Sequence, residues 1–157
     1  MTRDERLRQA AADLQCPPDA DIQPGGHYRP LVRDGQQLYI SGQLPRLGTQ
    51  IAVQGRVGDG VTLDQARHAA RISALRGLLL MQRELGTLEG LRRVARITVY
   101  VQCAADFTQH SEVADAASDL LHQVLGDAGV HARTAIGVYQ LPKNAAVEVD
   151  MVASALA

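Results

Sequence analysis

Aromatic rings are scarce in this sequence: among 157 residues there is no Trp, one Phe and four Tyr. Proteins that hold single-stranded nucleic acid stack bases on several exposed rings, so the shortage weighs against that class. A basic surplus is lacking too. Sixteen Lys and Arg face seventeen Asp and Glu, a net charge of -1, which makes nucleic acid an unfavourable partner. There are only two cysteines, Cys16 and Cys103, far apart and in no CxxC pattern. They read as idle thiols in a reducing, cytoplasmic setting. No apolar run reaches the length that spans a bilayer, so no membrane is expected. The opening MTRDERLRQAAADLQ carries charges where a signal peptide has its apolar stretch. The five histidines form no HExxH and no helical i, i+4 pair, and no metal or other cofactor is expected. Gly58-x-Gly60 lacks the strand and helix of a phosphate-binding fingerprint, and Ser41-Gly42 lacks a nucleophile elbow.

What remains is an apolar fraction of 46%, enough for a core, in a length that fits one domain spanning 1–157. Thr2 with Glu5 forms a capping box, and Leu7, Ala10, Ala11 and Leu14 follow at helical spacing. This predicts a helix to residue 15, stopped by Pro17-Pro18, that docks on the body and is dispensable for folding. Residues 16–27, rich in Pro, Asp and Gly, read as a connector. PLVRDGQQLYISG reads as a hairpin turning at Asp34-Gly35. Residues 50–57 suggest another strand. Thr62 with Gln65 opens a long helix, 63–85, ended by Gly86, and Leu88–Arg92 add a turn. VARITVYVQC alternates as a half-buried strand. Residues 112–125 make a third helix, stopped by Gly126. HARTAIGVYQLPKNAAVEVDMVA, from His131 to Ala153, reads as a closing hairpin. Strands alternating with long helices imply crossovers within one sheet. The expected fold is α+β: a mixed sheet with two main helices packed on one face, plus the N-terminal helix.

Two charged residues interrupt that closing segment, Arg133 and Glu148. By pattern alone Arg133 reads as a surface arginine at a strand start, and Glu148, between Val147 and Val149, as a residue on a solvated sheet face. A guanidinium also offers a planar fork of donors that matches a carboxylate. If Pro142 and Ala145 pair across a tight turn, Arg133 and Glu148 stand six residues apart, roughly 20 Å at about 3.3 Å per residue. They would then meet one small ligand only across a subunit boundary.

LYISGQLP, ARITVYVQCAADF and HARTAIGVYQLPKNAAVEVD resemble, in this order and spacing, the Rid (YjgF-type) family of enamine/imine deaminases. The likeness covers about Tyr28 to Val152, and R-x₈-P-x₅-E, formed by Arg133, Pro142 and Glu148, is its most specific part. The N-terminal helix and GVHARTAIGV are similar to a longer branch of about 150 residues. The resemblance implies a chorismate-mutase-like fold and a homotrimer with ligand clefts between subunits. It implies binding of a small carboxylate or 2-keto/imino acid, and hydrolysis of reactive enamines, through their imines, to 2-keto acids and ammonia. Arg133 matches the family arginine that grips the substrate carboxylate, and Glu148 the family glutamate beside the ligand, making these two the candidate catalytic pair. Tyr28 matches the loop tyrosine and Ser41 the serine of the SGQ strand. Ser111 stands where the family carries a pocket asparagine after Phe107, and GGHYRPL replaces a G-P-Y-S-Q-A-type loop. These departures favour, as an alternative, a ligand-binding or regulatory trimer without turnover. Ribonuclease or translation-inhibitor activity, a further family reading, is disfavoured by the charge balance and the scarcity of rings.

Overall fold

The computed structural model describes every residue from Met1 to Ala157. Helix α1 spans Arg3–Asp13, two residues shorter than expected, and closes its first turn by the foreseen capping box: Glu5 N donates to Thr2 Oγ1 at 3.1 Å and Thr2 N to the Glu5 carboxylate at 2.7 Å. The hairpin is β1 (Leu31–Asp34) and β2 (Gln37–Gln43), with Gly35 at φ 62° in the turn. The strand expected over 50–57 is instead two short ladders, Arg46–Leu47 with Gln50–Ile51 and Arg56–Val57 with Gly60–Val61. Helix α2 spans Leu63–Leu85, opened by the Thr62–Gln65 box and ended by Gly86 at φ 80°. The extra turn is a 3₁₀ segment, Leu88–Gly90, and β3 then runs Leu91–Gln102. Helix α3 (His110–Leu125), β4 (Ala132–Val138) and β5 (Val147–Ala155) complete the chain.

The five strands form one mixed sheet in the order β1-β2-β5-β3-β4. β2 and β3 both run antiparallel to β5, so they are parallel to each other and α2 makes the crossover between them. β3 and β4 pair parallel, with α3 as their crossover. The closing hairpin is therefore a correction: β4 and β5 do not pair, because β3 lies between them. The alternation on each side of Lys143-Asn144 reports two strands truly, but says nothing about their neighbours. β5 inserts centrally, while β4 is an edge.

Val147, Val149, Met151, Ala153 and Ala155 of β5 and Ile97, Val99 and Val101 of β3 face the helices and are fully buried. The absence of a side chain at Gly77 lets α2 come down on β5, since a Cβ there would lie 2.8 Å from the Met151 methyl. One contiguous cluster of 40 buried residues includes Leu7, Ala10, Ala11 and Leu14. α1 is thus part of the main core: its apolar stripe packs beside α2 and α3, in line with the expected docking on the body. No helix is long and apolar enough to cross a membrane.

Candidate functional site

Where β2 leaves the sheet its register shifts between Ile40 and Gln43. A cavity of about 240 Å³ opens beside this irregularity. Tyr28 and Pro30 of the preceding loop form one wall, Pro142 and Lys143 another, and Gly42, Gln43, Arg76 and Glu148 also line it. Gln102, fully buried, holds the second wall: its amide donates to Gly55 O (3.0 Å) and Asn144 Oδ1 (2.8 Å), and its carbonyl accepts from Leu141 N (2.7 Å).

Glu148 pairs with Tyr100 in the sheet register and points away from the helices. Burial, with Asp150 nearby, pushes its carboxyl above the ordinary carboxylate value of 4.5. Asp150 itself accepts a hydrogen bond from Tyr100 Oη at 2.9 Å. Glu148 rests on the backbone of Gly42, where any Cβ would come within 2.8 Å of the Glu148 Cδ. The missing side chain at Gly42 therefore fixes where the carboxyl group sits. Tyr28 lines the cavity, half-exposed, and its hydroxyl accepts from Gly25 N at 3.3 Å. Ser41 is not among the lining residues. Its hydroxyl donates to Arg29 O at 2.8 Å and pins the Tyr28 loop to β2.

Arg133 is elsewhere. It pairs with Ile97 and so faces the helical layer, where Nη1 donates to Asp115 Oδ1 at 2.7 Å and to Ser118 Oγ at 3.0 Å. It lines a shallow depression with His131, Ser118 and His122. His131 Nδ1 lies 2.6 Å from Gly129 O, which can only accept, so Nδ1 carries the proton. Nε2 then accepts from the Ser118 hydroxyl at 2.9 Å. Burial lowers the pKa of His131, the Gly129 carbonyl opposes this, and the Arg133 charge adds to the lowering. Arg133 Nε and Nη2 make no hydrogen bond in the chain. Ser111 is exposed in the first turn of α3 and lines neither the cavity nor the depression.

Glu148 and Tyr28 thus share a cavity with Ser41 behind it, while Arg133 stands apart. The residues that sequence reasoning missed are Gln43, Arg46, Lys143 and, above all, Arg76. A signal for Arg76 existed: it follows Ala69 and Ser73 at helical spacing and precedes Leu80, on the stripe that α2 buries. No group of three His, Cys, Asp or Glu side chains is placed to hold a metal ion.

Comparisons with known proteins agree with this architecture. Residues 6–155 match the family described as "YjgF/chorismate_mutase-like, putative endoribonuclease". Protein TCP17 of Trypanosoma cruzi is 43% identical over 128 residues, covering 81% of this chain and 80% of that protein. The crystal structure of Atu1372, a protein with unknown function from Agrobacterium tumefaciens, has a TM-score of 0.88 at 34% identity, over 98% of this chain and 95% of that one. A protein from Shewanella oneidensis MR-1 that carries an endoribonuclease label has a TM-score of 0.89 at 28% identity, over 98% and 99% of the two chains. With a match over nearly its whole length and the fold in agreement, the chain belongs to the YjgF/chorismate-mutase-like family.

Proposed function

We propose that the chain is the subunit of a homotrimer that binds a small 2-keto or 2-imino acid between subunits and hydrolyses reactive enamines through their imines. The observation that carries this reading is that Arg133 and Glu148 lie on opposite faces of one sheet, each beside its own depression. Neither half suffices alone: one offers a carboxylate-gripping fork, the other an acid–base group. A second copy would bring the Arg133 edge of one subunit against the Glu148 cavity of the next. The helix-free sheet face supports such an assembly, since Tyr39, Val32 and Ile136 are each nearly half-exposed there.

The chemistry needs little beyond position. An enamine accepts a proton on carbon and becomes an iminium. Water adds to the iminium carbon and loses a proton. The C–N bond of the resulting carbinolamine breaks, leaving a 2-keto acid and ammonia. Glu148, with its carboxyl pushed up, is suited both to give a proton and to take one back from water. Arg133 Nε and Nη2 are free to take a carboxylate in two parallel hydrogen bonds. The ion pair of Arg133 with Asp115 favours a second reading, a trimer that binds the ligand without turnover, because it already occupies one arm of the fork.

Light scattering gives the mass, and ammonia release from freshly generated 2-aminoacrylate gives the activity. Arg133→Ala is expected to weaken 2-oxobutanoate binding by roughly 10²-fold, and Glu148→Gln to reduce turnover more than binding. Mixing the two inactive variants within one trimer should restore sites built from an intact Arg133 and an intact Glu148. Binding by a monomer, or mixed trimers no more active than either parent, would sink the intersubunit site. Normal binding without ammonia release would leave the regulatory reading. Tight, strongly salt-dependent RNA binding would instead favour the endoribonuclease label of the Shewanella relative.

A further inference from the structure

Arg76 is only 4% exposed, in the middle of α2, yet it lines the Glu148 cavity. Its contacts are few and neutral: Nε donates to Gln43 Oε1 and Nη1 to Arg46 O, both at 3.3 Å. Nη2 makes no hydrogen bond, and no carboxylate lies within ion-pair distance. Its charged neighbours are Arg46 and Arg83, both of its own sign. Cys16 is the facing acid, but burial keeps that thiol protonated. A buried guanidinium ordinarily has a carboxylate partner, because leaving its charge unpaired is costly. Here the compensation is missing from the chain, and one nitrogen is left for a guest. Lys143 on the same cavity wall adds another positive charge, and Glu148 is the one carboxylate among the lining residues.

We propose that Arg76 is the anion-binding residue of this cavity, so that its ligand carries an acidic group there in addition to the carboxylate assigned to Arg133. The ligand class is then a small dicarboxylic 2-oxo or 2-imino acid. The free Nη2 of Arg76 meets one carboxylate within the subunit, and Arg133 of a neighbouring subunit meets the other. The second carboxylate rests on the intersubunit reading above; the Arg76 site does not.

Titration calorimetry with 2-oxoglutarate and its neutral-tailed 5-(N,N-dimethyl)amide tests this: the tertiary amide has no N–H to close onto the ketone, so both ligands keep the open keto-acid chain and differ in the charge at its far end. The unaltered protein should bind the acid about tenfold or more tightly than the amide, as expected of one charge-assisted contact. Equal affinities would overturn the proposal without recourse to any variant. Arg76→Met should abolish the preference while leaving the amide's affinity in place, and Arg76→Lys should recover part of it. A preference that survives in a folded Arg76→Met variant would also overturn the assignment, as would failure of 2-oxoglutarate to bind at millimolar concentration. Arg133→Ala should weaken both ligands equally and leave their ratio intact. If it weakens neither while the ratio persists, the intersubunit reading falls and the Arg76 site stands.

Discussion

Arg133 and Glu148 face opposite sides of one sheet. Arg133 is in register with Ile97, which is in register with Met151, three residues beyond Glu148 on β5. Two strand spacings of about 4.8 Å and three residues of about 3.3 Å put their backbones roughly 14 Å apart. The tight-turn hairpin expected from the sequence gives a larger gap by a different route, and both place the pair out of reach of one small ligand within one chain. The separation therefore does not depend on how the turn is built.

Gly42 sets the orientation of Glu148, so its substitution should act on chemistry more than on folding. Gly42 lies in an extended strand, not at a positive φ, and an Ala there is strained only by the carboxyl group above it. Gly42→Ala is expected to stay folded, rotate the Glu148 side chain, and lower turnover at least tenfold with a small change in melting temperature. Ammonia release and calorimetric melting measure the two effects; unchanged turnover would show that the Glu148 position is not set by Gly42.

Glu148, Tyr28 and Ser41 were legible through the resemblance carried by LYISGQLP and the Arg133, Pro142, Glu148 spacing. Patterning alone reads Arg133 as a surface arginine and Glu148 as a residue on a solvated sheet face, because alternation reports which face a side chain takes and not what that face meets. The spacing of Arg76 with Ala69, Ser73 and Leu80 places it on the buried stripe of α2, but that spacing does not show the cavity it lines, which exists only once the loops before β1 and β5 are in place. The β3 strand between β4 and β5 was hidden for a related reason: period-two patterning reports faces, while pairing is decided by distant segments. The capping boxes at Thr2 and Thr62 were legible because both their partners lie within three residues.

Glu148 should make the protein's stability respond to acid in an unusual direction. Its folded pKa is raised by burial first and by Asp150 second, so the fold disfavours its ionised form. The penalty is present above the folded pKa and fades as pH falls through that value toward the ordinary 4.5. Glu148→Gln should therefore melt at or above the unaltered protein at pH 8, with the difference shrinking at pH 4. A variant that melts lower at pH 8 would mean that the ionised carboxylate is stabilised by a partner within the fold.

His131 has the opposite consequence. Its folded pKa is depressed, chiefly by burial, so the neutral imidazole contributes stability above the ordinary value of 6.5 that is lost as pH falls through the lower folded value. Protonating Nε2 also removes the acceptor for Ser118 Oγ–H and sets a positive charge beside Arg133. The melting temperature should drop between pH 7.5 and the folded pKa, and His131→Asn should flatten that part of the profile. Proton-resolved NMR of the imidazole checks the cause, and a His131 titration at or above 6.5 would refute it.

The N-terminal helix should prove structural, not accessory. Isolated helices of this length are marginal in water, so α1 depends on the body for its order. The dependence runs both ways. Leu7, Ala10 and Ala11 are no more than 1% exposed and belong to the main core, and removing them would uncover the facing residues of α2 and α3. Asp4 adds a polar tether, accepting from the Thr87 hydroxyl, from Leu88 N at 2.9 Å and from Gln82 Nε2 at 2.8 Å. Burial alone would raise the Asp4 carboxyl, but these hydrogen bonds together outweigh it and hold the group below its ordinary value of 3.8. Leu7→Ala should cost about 3 kcal/mol by the cavity it leaves, and Asp4→Ala about 2 kcal/mol by freeing its donors. Deleting residues 1–15 should then give an aggregating or unfolded chain. Urea unfolding of the two point variants and light scattering of the truncated chain make the comparison. A truncated protein that melts cooperatively near the temperature of the full chain would show that the body closes its core without α1.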